Sequence, residues 1–489
     1  MRPKIRKSAR TAAIAALTVA ALAAAINIAP GDTPVVQAAI GGTLGAGGEY
    51  HPLEPTRIFD TRTPALDVAP LGAKASVTNN TSAGFDVQIS GLGGLPAFVD
   101  ANGDGADDNV LAVAVNITVI SPNQLGYLQA YGKGASRSES SVVNFAPGGF
   151  VPNMAILRPG AGGKFTLHLV SPLKAGTSHV AIDIFGWFSS SSYPQRGARV
   201  VPVGPARVYD SRLVAFGGSP LGSQSTVTIP VRGADSYEPV TTDLVPDNSN
   251  VVGVMVNITG VNWLPLSAPT FIAVVPDALA PGQEPTTSNL NLVPGQVRSV
   301  MGILPVGADG KIRVFNLGGE VDIVVDVLGY LVDGTDVGTR SGRVVPLVQP
   351  YRAFDTRLAS FGNRPLSPAN AEPFNFGPLV DSVKIGSEPV GAQLGLIGNL
   401  TATDLKPQYA GPPAATFLTA YPPADNPPQI SNITITEGET LPNLTLLRFG
   451  VDPDAASGAA CSQPTCVMFY NLAGYLHYLY DVSAVILAD

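Results

Sequence analysis

Three times along the chain an arginine is followed two residues later by an aromatic, then by aspartate, and two positions further by a second arginine. The sets are Arg57, Phe59, Asp60 and Arg62; Arg207, Tyr209, Asp210 and Arg212; and Arg352, Phe354, Asp355 and Arg357. Guanidinium and carboxylate in this spacing can pair through parallel N–H···O bonds, or they can present a planar donor fork to a carboxylate or sugar on a ligand. On a regular extended chain Ile58, Asp60 and Arg62 point one way and Arg57, Phe59 and Thr61 the other. Ion pairing within a scaffold is the expectation, because paired Arg and Asp are more often framework than site.

A second pattern occurs once. In DANGDGADD, Asp100, Asn102 and Asp104 alternate, Gly105 follows at the turn and Asp108 falls at the ninth position, the order of oxygen ligands in a calcium loop. The twelfth position is Leu111 in place of a bidentate Glu, so two readings stand: a Ca2+ clasp confined to the first repeat, or an exposed acidic turn. No other cofactor is required.

Catalysis finds little support. His51, His168, His179 and His477 fall at no matching positions, and no G-x-S-x-G, H-E-x-x-H or phosphate-loop pattern exists. The expectation is a protein that is not an enzyme. Trp263, Tyr127 and Tyr131 could offer flat faces to sugar rings, the alternative being that they fill the core or its rim.

The elements that must position these residues read as strands. Gly (53) and Pro (44) are in excess among 489 residues and only 13% are charged, which disfavours long helices, coiled coils and disordered polyelectrolytes. The formal net charge of −8 excludes a basic nucleic-acid footprint. The arginine motifs start 150 and 145 residues apart. Between them the same landmarks recur in order: an apolar run ending in Asn-x-Thr at Asn116, Asn257 and Asn399, a second short apolar run, a Gly-closed alternating segment, and a terminal run, IDIFGWF and VVDVLGYL in the first two copies. The third copy ends differently, with Ala484 and Val485 in place of the Gly-aromatic pair. The three Asn side chains are expected to tie strands to a neighbouring loop. Period-2 segments separated by Gly, Pro, Asn and Ser clusters predict an all-β chain of three tandem antiparallel β-sandwich, jelly-roll-like domains. Their bounds are 39–191, 192–337 and 338–489, with short polar linkers that imply packing of one unit on the next.

Residues 1–38 read as a secretory signal: Arg2, Lys4, Arg6, Lys7 and Arg10, an Ala-rich apolar stretch, and Val36-Gln37-Ala38 before the expected cleavage. A retained anchor is the alternative. Cleavage would remove five basic residues and one acid, taking the net charge from −8 to −12. No further membrane span is expected. Cys461 and Cys466, in CSQPTC, predict a local disulfide of an oxidising compartment.

The pattern P-x-R-apolar-aromatic-D-[TS]-R, followed by N-x-T, S-N-L-N and D-V-x-G-Y, resembles a module common in secreted proteins of high-GC Gram-positive bacteria, found alone, in tandem or attached to exported hydrolases. The second copy matches it best. The resemblance implies an extracellular accessory or surface role and carries no catalytic assignment; a secreted, non-catalytic structural or surface-associated protein is the expectation. The alternatives are a carbohydrate-binding or adhesion module, whose partner would be a cell-wall glycan or other surface component, and, third, an exported hydrolase.

Overall fold

Runs of Val, Ile, Thr and aromatics lose least in an extended, half-buried backbone, and here they form strands almost throughout. The computed structural model describes residues 37–38, 47–63, 71–72, 84–101, 103–171, 176–191, 193–280, 282–333, 339–385, 388–389, 391–409, 414–451 and 461–489, and its secondary structure is 56% strand and 3% helix. Apart from Gln37–Ala38, the expected export segment lies outside the described residues. No helix among the described residues is long and apolar enough to cross a membrane.

The first repeat contributes β1 (Tyr50–Asp60), β2 (Phe85–Gln88), β3 (Val110–Ile120), β4 (Gly126–Gly132), β5 (Val143–Phe145), β6 (Phe150–Leu157), β7 (Lys164–Val170) and β8 (Thr177–Ser189). The second contributes β9 (Arg199–Asp210), β10 (Ser225–Pro230), a hairpin of β11 (Ala234–Tyr237) and β12 (Val240–Val245), β13 (Val251–Asn262), β14 (Thr270–Val275), β15 (Leu290–Leu292), β16 (Gln296–Pro305), β17 (Lys311–Asn316) and β18 (Asp322–Val332). The third contributes β19 (Val344–Asp355), β20 (Asn370–Asn375), β21 (Gln393–Lys406), β22 (Ala415–Tyr421), β23 (Ile433–Thr436), β24 (Thr440–Arg448), β25 (Cys466–Asn471) and β26 (Tyr475–Leu487).

Each repeat makes two antiparallel four-stranded sheets. The orders are β1-β8-β3-β6 and β2-β7-β4-β5, then β9-β18-β13-β16 and β10-β17-β14-β15, then β19-β26-β21-β24 and β20-β25-β22-β23. Gln37–Ala38, Lys384–Ile385 and Glu388–Pro389 extend the first sheet of the third repeat beyond β19.

One edge strand of every sheet, β5, β6, β15, β16, β23 and β24, faces a common axis and packs on the next edge: β6 on β15, β16 on β23, β24 on β5. The arrangement is a six-bladed β-propeller of small sheets, and the expected three tandem β-sandwich, jelly-roll-like domains are thereby corrected. The same conclusion follows from burial. The first and third repeats each hold an apolar cluster of their own, but a further cluster runs from Ala114 and Met154 of the first repeat, through Met255 and Ile303, to Ile397 and Leu446 of the third. Separate domains would close only their own cores; here the innermost apolar residues join one cluster across the repeat boundaries. β3, with all eleven residues buried, reads as a continuous apolar run because blades cover both its faces.

Asparagines at the ends of the apolar runs close the ring. Asn116 Nδ2 donates to Ser288 O (2.7 Å), Asn257 Nδ2 to Ser431 O (2.6 Å) and Asn399 Nδ2 to Ser141 O (2.7 Å), so each repeat grips the next and the third grips the first. The expected tie to a neighbouring loop therefore reaches a different repeat. A second girdle is incomplete. Asn153 Nδ2 donates to Asn399 Oδ1 (2.9 Å) and Asn443 Nδ2 to Asn257 Oδ1 (2.8 Å), but the matching position in the second repeat is Val300, and Asn116 Oδ1 is buried without a partner.

At the opposite end of the strands, Glu49, Arg199 and Arg343 occupy matching positions where the first blades of the three repeats begin. One carboxylate gathers Arg196 (3.1 Å), Arg199 (3.3 Å) and Arg343 (3.0 Å), and Gly197 N donates to its second oxygen (3.1 Å). Burial works against ionisation of Glu49, but the Gly197 N–H and the Arg343 and Arg196 charges outweigh it and hold the carboxyl below its ordinary range. Three like arginines converging on one axis would repel; Glu in the first copy turns that convergence into a clasp.

Candidate functional site

The arginine motif is one end of a row that crosses each first blade. Strand register sets Arg57 beside Asp183 and Asp183 beside Asn116, and repeats this as Arg207, Asp326, Asn257 and as Arg352, Asp481, Asn399. Arg57 binds Asp183 with two bonds, Nε–Oδ1 2.7 Å and Nη2–Oδ2 2.9 Å; Arg352 binds Asp481 at 2.8 and 3.0 Å; Arg207 binds Asp326 at 2.8 and 3.4 Å. The motif aspartate is held from both sides. Asp60 takes Arg57 Nη1 (3.2 Å) and Arg62 Nε and Nη2 (3.0 and 2.7 Å), and Asp210 and Asp355 repeat the arrangement.

Regular alternation would have put Arg57 and Asp60 on opposite faces. A register shift between Arg57 and Phe59, matched at Arg207/Tyr209 and Arg352/Phe354, turns the arginine to the aspartate's side, which corrects the extended-chain expectation. The buried partners Asp183, Asp326 and Asp481 were not singled out from the sequence. Their signal is the aspartate that recurs in IDIFGWF, VVDVLGYL and LYDVSAV.

Each network holds two arginines and two aspartates and is neutral overall. Its carboxyls are pushed in opposite directions. Burial raises Asp183, Asp326 and Asp481 despite their arginines. Burial also opposes ionisation of Asp60, Asp210 and Asp355, but the Arg62, Arg212 and Arg357 hydrogen bonds and charges win and lower them.

Two of the networks face a cavity of about 1220 Å³ at this end of the axis, walled by all three repeats. Arg57 and Arg62 of the first repeat stand in its wall with Phe271 and Asn291 of the second; Arg357 of the third stands there with Tyr127 and Asn144 of the first. Tyr127 and Phe271 are matched residues, each paired across the ladder with the matched Asn144 and Asn291. Thr118, from an Asn-x-Thr segment, also lines the wall, and its hydroxyl is buried without a partner. In the same wall, Arg298 of the second repeat pairs with Glu439 of the third.

The other sequence candidates lie apart. Tyr131 is buried and stacks on His168 with centroids 5.7 Å apart, and Trp263, 60% exposed, donates its Nε1–H to Gly295 O outside the cavity wall. Of the three aromatics expected to face a ligand, Tyr127 alone lines the cavity, because the other two sit on strand faces and loops turned from the axis.

The acidic loop spends its carboxylates on its own backbone. Asp100 accepts from the Asp104 and Gly105 N–H groups (3.1 and 3.0 Å), Asp104 from Ala106 N–H (2.8 Å) and Asp108 from Ala101 N–H (2.7 Å); Asn102 lies outside the described residues. Among the described residues no group of three or more His, Cys, Asp or Glu side chains gathers as a metal site requires.

Two histidines do match, contrary to the sequence reading. His179 and His477 both stand four residues before the recurring aspartate, and their Nδ1 atoms bond the motif hydroxyls Thr61 (2.9 Å) and Thr356 (3.0 Å). Ser211 and Asp322 make the corresponding bond in the second repeat (2.7 Å), and because that copy carries Asp rather than His the match is hidden in the sequence. Cys461 and Cys466 are joined as a disulfide.

No family model matches the chain, and no curated protein does. Among solved structures, one similar chain is the N-terminal CBM22-1–CBM22-2 tandem domain from Paenibacillus barcinonensis Xyn10C, at 11% identity over 45% of this chain and 78% of that one, with a TM-score of 0.15.

Proposed function

We propose that this is a secreted or cell-surface protein that binds a glycan in its axial cavity and carries out no reaction there. The observation that supports it best is the composition of that cavity: half-buried aromatic faces from Tyr127 and Phe271, each beside an Asn, with guanidinium edges from Arg57, Arg62 and Arg357. Aromatic faces stack on the apolar C–H surface of a sugar ring while fixed donors and acceptors meet its hydroxyls, the mixture that concave ligand sites use to combine area with orientation. Because every arginine in the two exposed networks is matched by an aspartate, the wall suits hydroxyl and amide groups better than a net anion. A basic start followed by an apolar stretch, together with the disulfide, supports export.

The test is a glycan array with the mature chain, followed by calorimetry on the best ligands and size-exclusion chromatography beside it. Binding that is lost in a Tyr127→Ala, Phe271→Ala double variant with unchanged melting supports the reading. Self-association with no glycan bound would overturn it in favour of a structural protein of the cell surface.

A further inference from the structure

The three repeats create three matched clefts, each between the arginine row of one first blade and the second blade of the next repeat. In the first, Arg57 shares the cavity wall with Phe271 and Asn291; in the third, the charge of Arg352 reaches Tyr127, which pairs with Asn144; the matched residues of the second are Arg207, Phe417 and Thr434, the last two paired across the ladder as their counterparts are. The cavity wall takes an arginine and an aromatic from two of them, Arg57, Arg62 and Phe271 of the first and Arg357 and Tyr127 of the third; from the second it takes Thr434 but, among the described residues, neither Arg207, Arg212 nor Phe417.

The reason is the β11–β12 hairpin of the second repeat. Arg207 N donates to Glu238 O (2.7 Å) at the hairpin turn, and Glu238 Oε1 accepts from Gln429 N of the third repeat (3.1 Å), so the turn bridges the two sides of the second cleft. Tyr237 packs on Phe216 with centroids 5.3 Å apart, and its hydroxyl, buried without a partner, lies among the charges of Arg207, Asp210 and Asp326. The arginine side chains record the result: Arg57 is 30% exposed and Arg352 23%, against 14% for Arg207.

We propose that the cavity is a paired site. Its two open clefts take two like units of one repeating, uncharged glycan, and the hairpin fills the place of a third. This rests on the carbohydrate reading above. Two matched subsites on one rigid ring raise affinity sharply once a single ligand reaches both, because the second contact becomes intramolecular.

The experiment titrates the full mature chain with N-acetylglucosamine oligomers and β-1,4-glucose oligomers of one to eight units by calorimetry. One ladder should show affinity rising about a hundredfold at a threshold length. Tyr127→Ala and Phe271→Ala should each return the long oligomers to the affinity of the short ones, and Phe417→Ala should leave binding unchanged. Arginine labelling with phenylglyoxal, read by mass spectrometry, supplies a measure that needs no ligand: Arg207 should react least of the three, and a Tyr237→Ala, Glu238→Ala variant should bring it level with Arg57 and Arg352. Bound long oligomer should protect Arg57 and Arg357 together. If neither ladder binds, the carbohydrate reading falls and the pairing of units with it. If oligomers bind without a length threshold, or protect one arginine alone, the pairing fails and the carbohydrate reading survives. Equal labelling of all three arginines in the unaltered chain would overturn the plugged third cleft.

Discussion

The two ends of the propeller axis are held by the same ingredients, arginine and carboxylate, in opposite arrangements. At the cavity end each repeat is balanced within itself, two arginines against two aspartates, and the three copies keep the same residues. At the other end the pairing is between repeats and uneven: the single Glu49 carboxylate of the first copy answers Arg199 of the second, Arg343 of the third, and Arg196. β1, which joins these ends through the first repeat, is about 33 Å long at the usual rise per residue. The difference teaches that a network neutral within one repeat leaves a surface free to face a ligand, whereas a carboxylate shared among arginines of other repeats is a closure device. A smaller cavity of about 680 Å³ does lie at the clasp end, but Arg199 in its wall is already committed to Glu49 and Thr339.

The largest break in that comparison should come from the clasp. Glu49→Arg, which makes the three matched positions alike, is expected to prevent closure of the ring. Glu49→Gln should cost about 3–5 kcal/mol in chemical denaturation, since it leaves Arg199, 2% exposed, and Arg343 as buried charges without a counter-ion. Asp326→Asn and Asp183→Asn at the cavity end should cost less, about 1.5–3 kcal/mol each, with Asp326 the more sensitive because Arg207 is the less exposed partner. Equal losses at the two ends would show that a carboxylate shared between repeats is worth no more than one paired within a repeat.

Acid should separate the ends next. The Glu49 carboxyl is lowered below its ordinary 4.5, so its contribution is fully present above that pH and is lost as pH falls through the lower folded value. Asp60, Asp210 and Asp355 act in the same direction, below 3.8. Asp183, Asp326 and Asp481 are raised by burial and act in reverse, their stabilisation weakening as pH rises above 3.8 through the folded value. Glu49→Gln should therefore flatten the acid limb of a melting-temperature profile, and Asp183→Asn should steepen it or leave it unchanged. The smallest effect belongs to the girdle between the ends. Val300→Asn supplies the donor that Asn116 Oδ1 lacks and should change stability by about 1 kcal/mol or less, whereas Asn153→Val, which strips a buried acceptor of its donor, should cost about 1–3 kcal/mol.

Much of the site was legible residue by residue. The arginine–aspartate pairing follows from repeated type and spacing, and Tyr127 is one of the three aromatics the sequence offers as faces for sugar rings. The partners Asp183, Asp326 and Asp481 lie more than a hundred positions from their arginines and meet them only through strand register. Phe271 became a site residue because another repeat's arginines stand opposite it. The hairpin of the second repeat carries no sequence signal of its role, because Glu238 meets Gln429 only across the boundary with the third repeat.

By itself the sequence determined an all-β chain, three copies of one unit, turns rich in Gly and Pro, and acidic balance, because each of these is written in local composition and period. The tertiary structure alone decided that the copies share one axis rather than standing in a row. A strand buried on both faces, such as Val110–Ile120, reads the same whether a second sheet of its own domain or a neighbouring blade covers it. Apolar pattern records that a face is buried and not by what, so the ring, its clasp and its cavity exist only in the pairing of residues far apart in the chain.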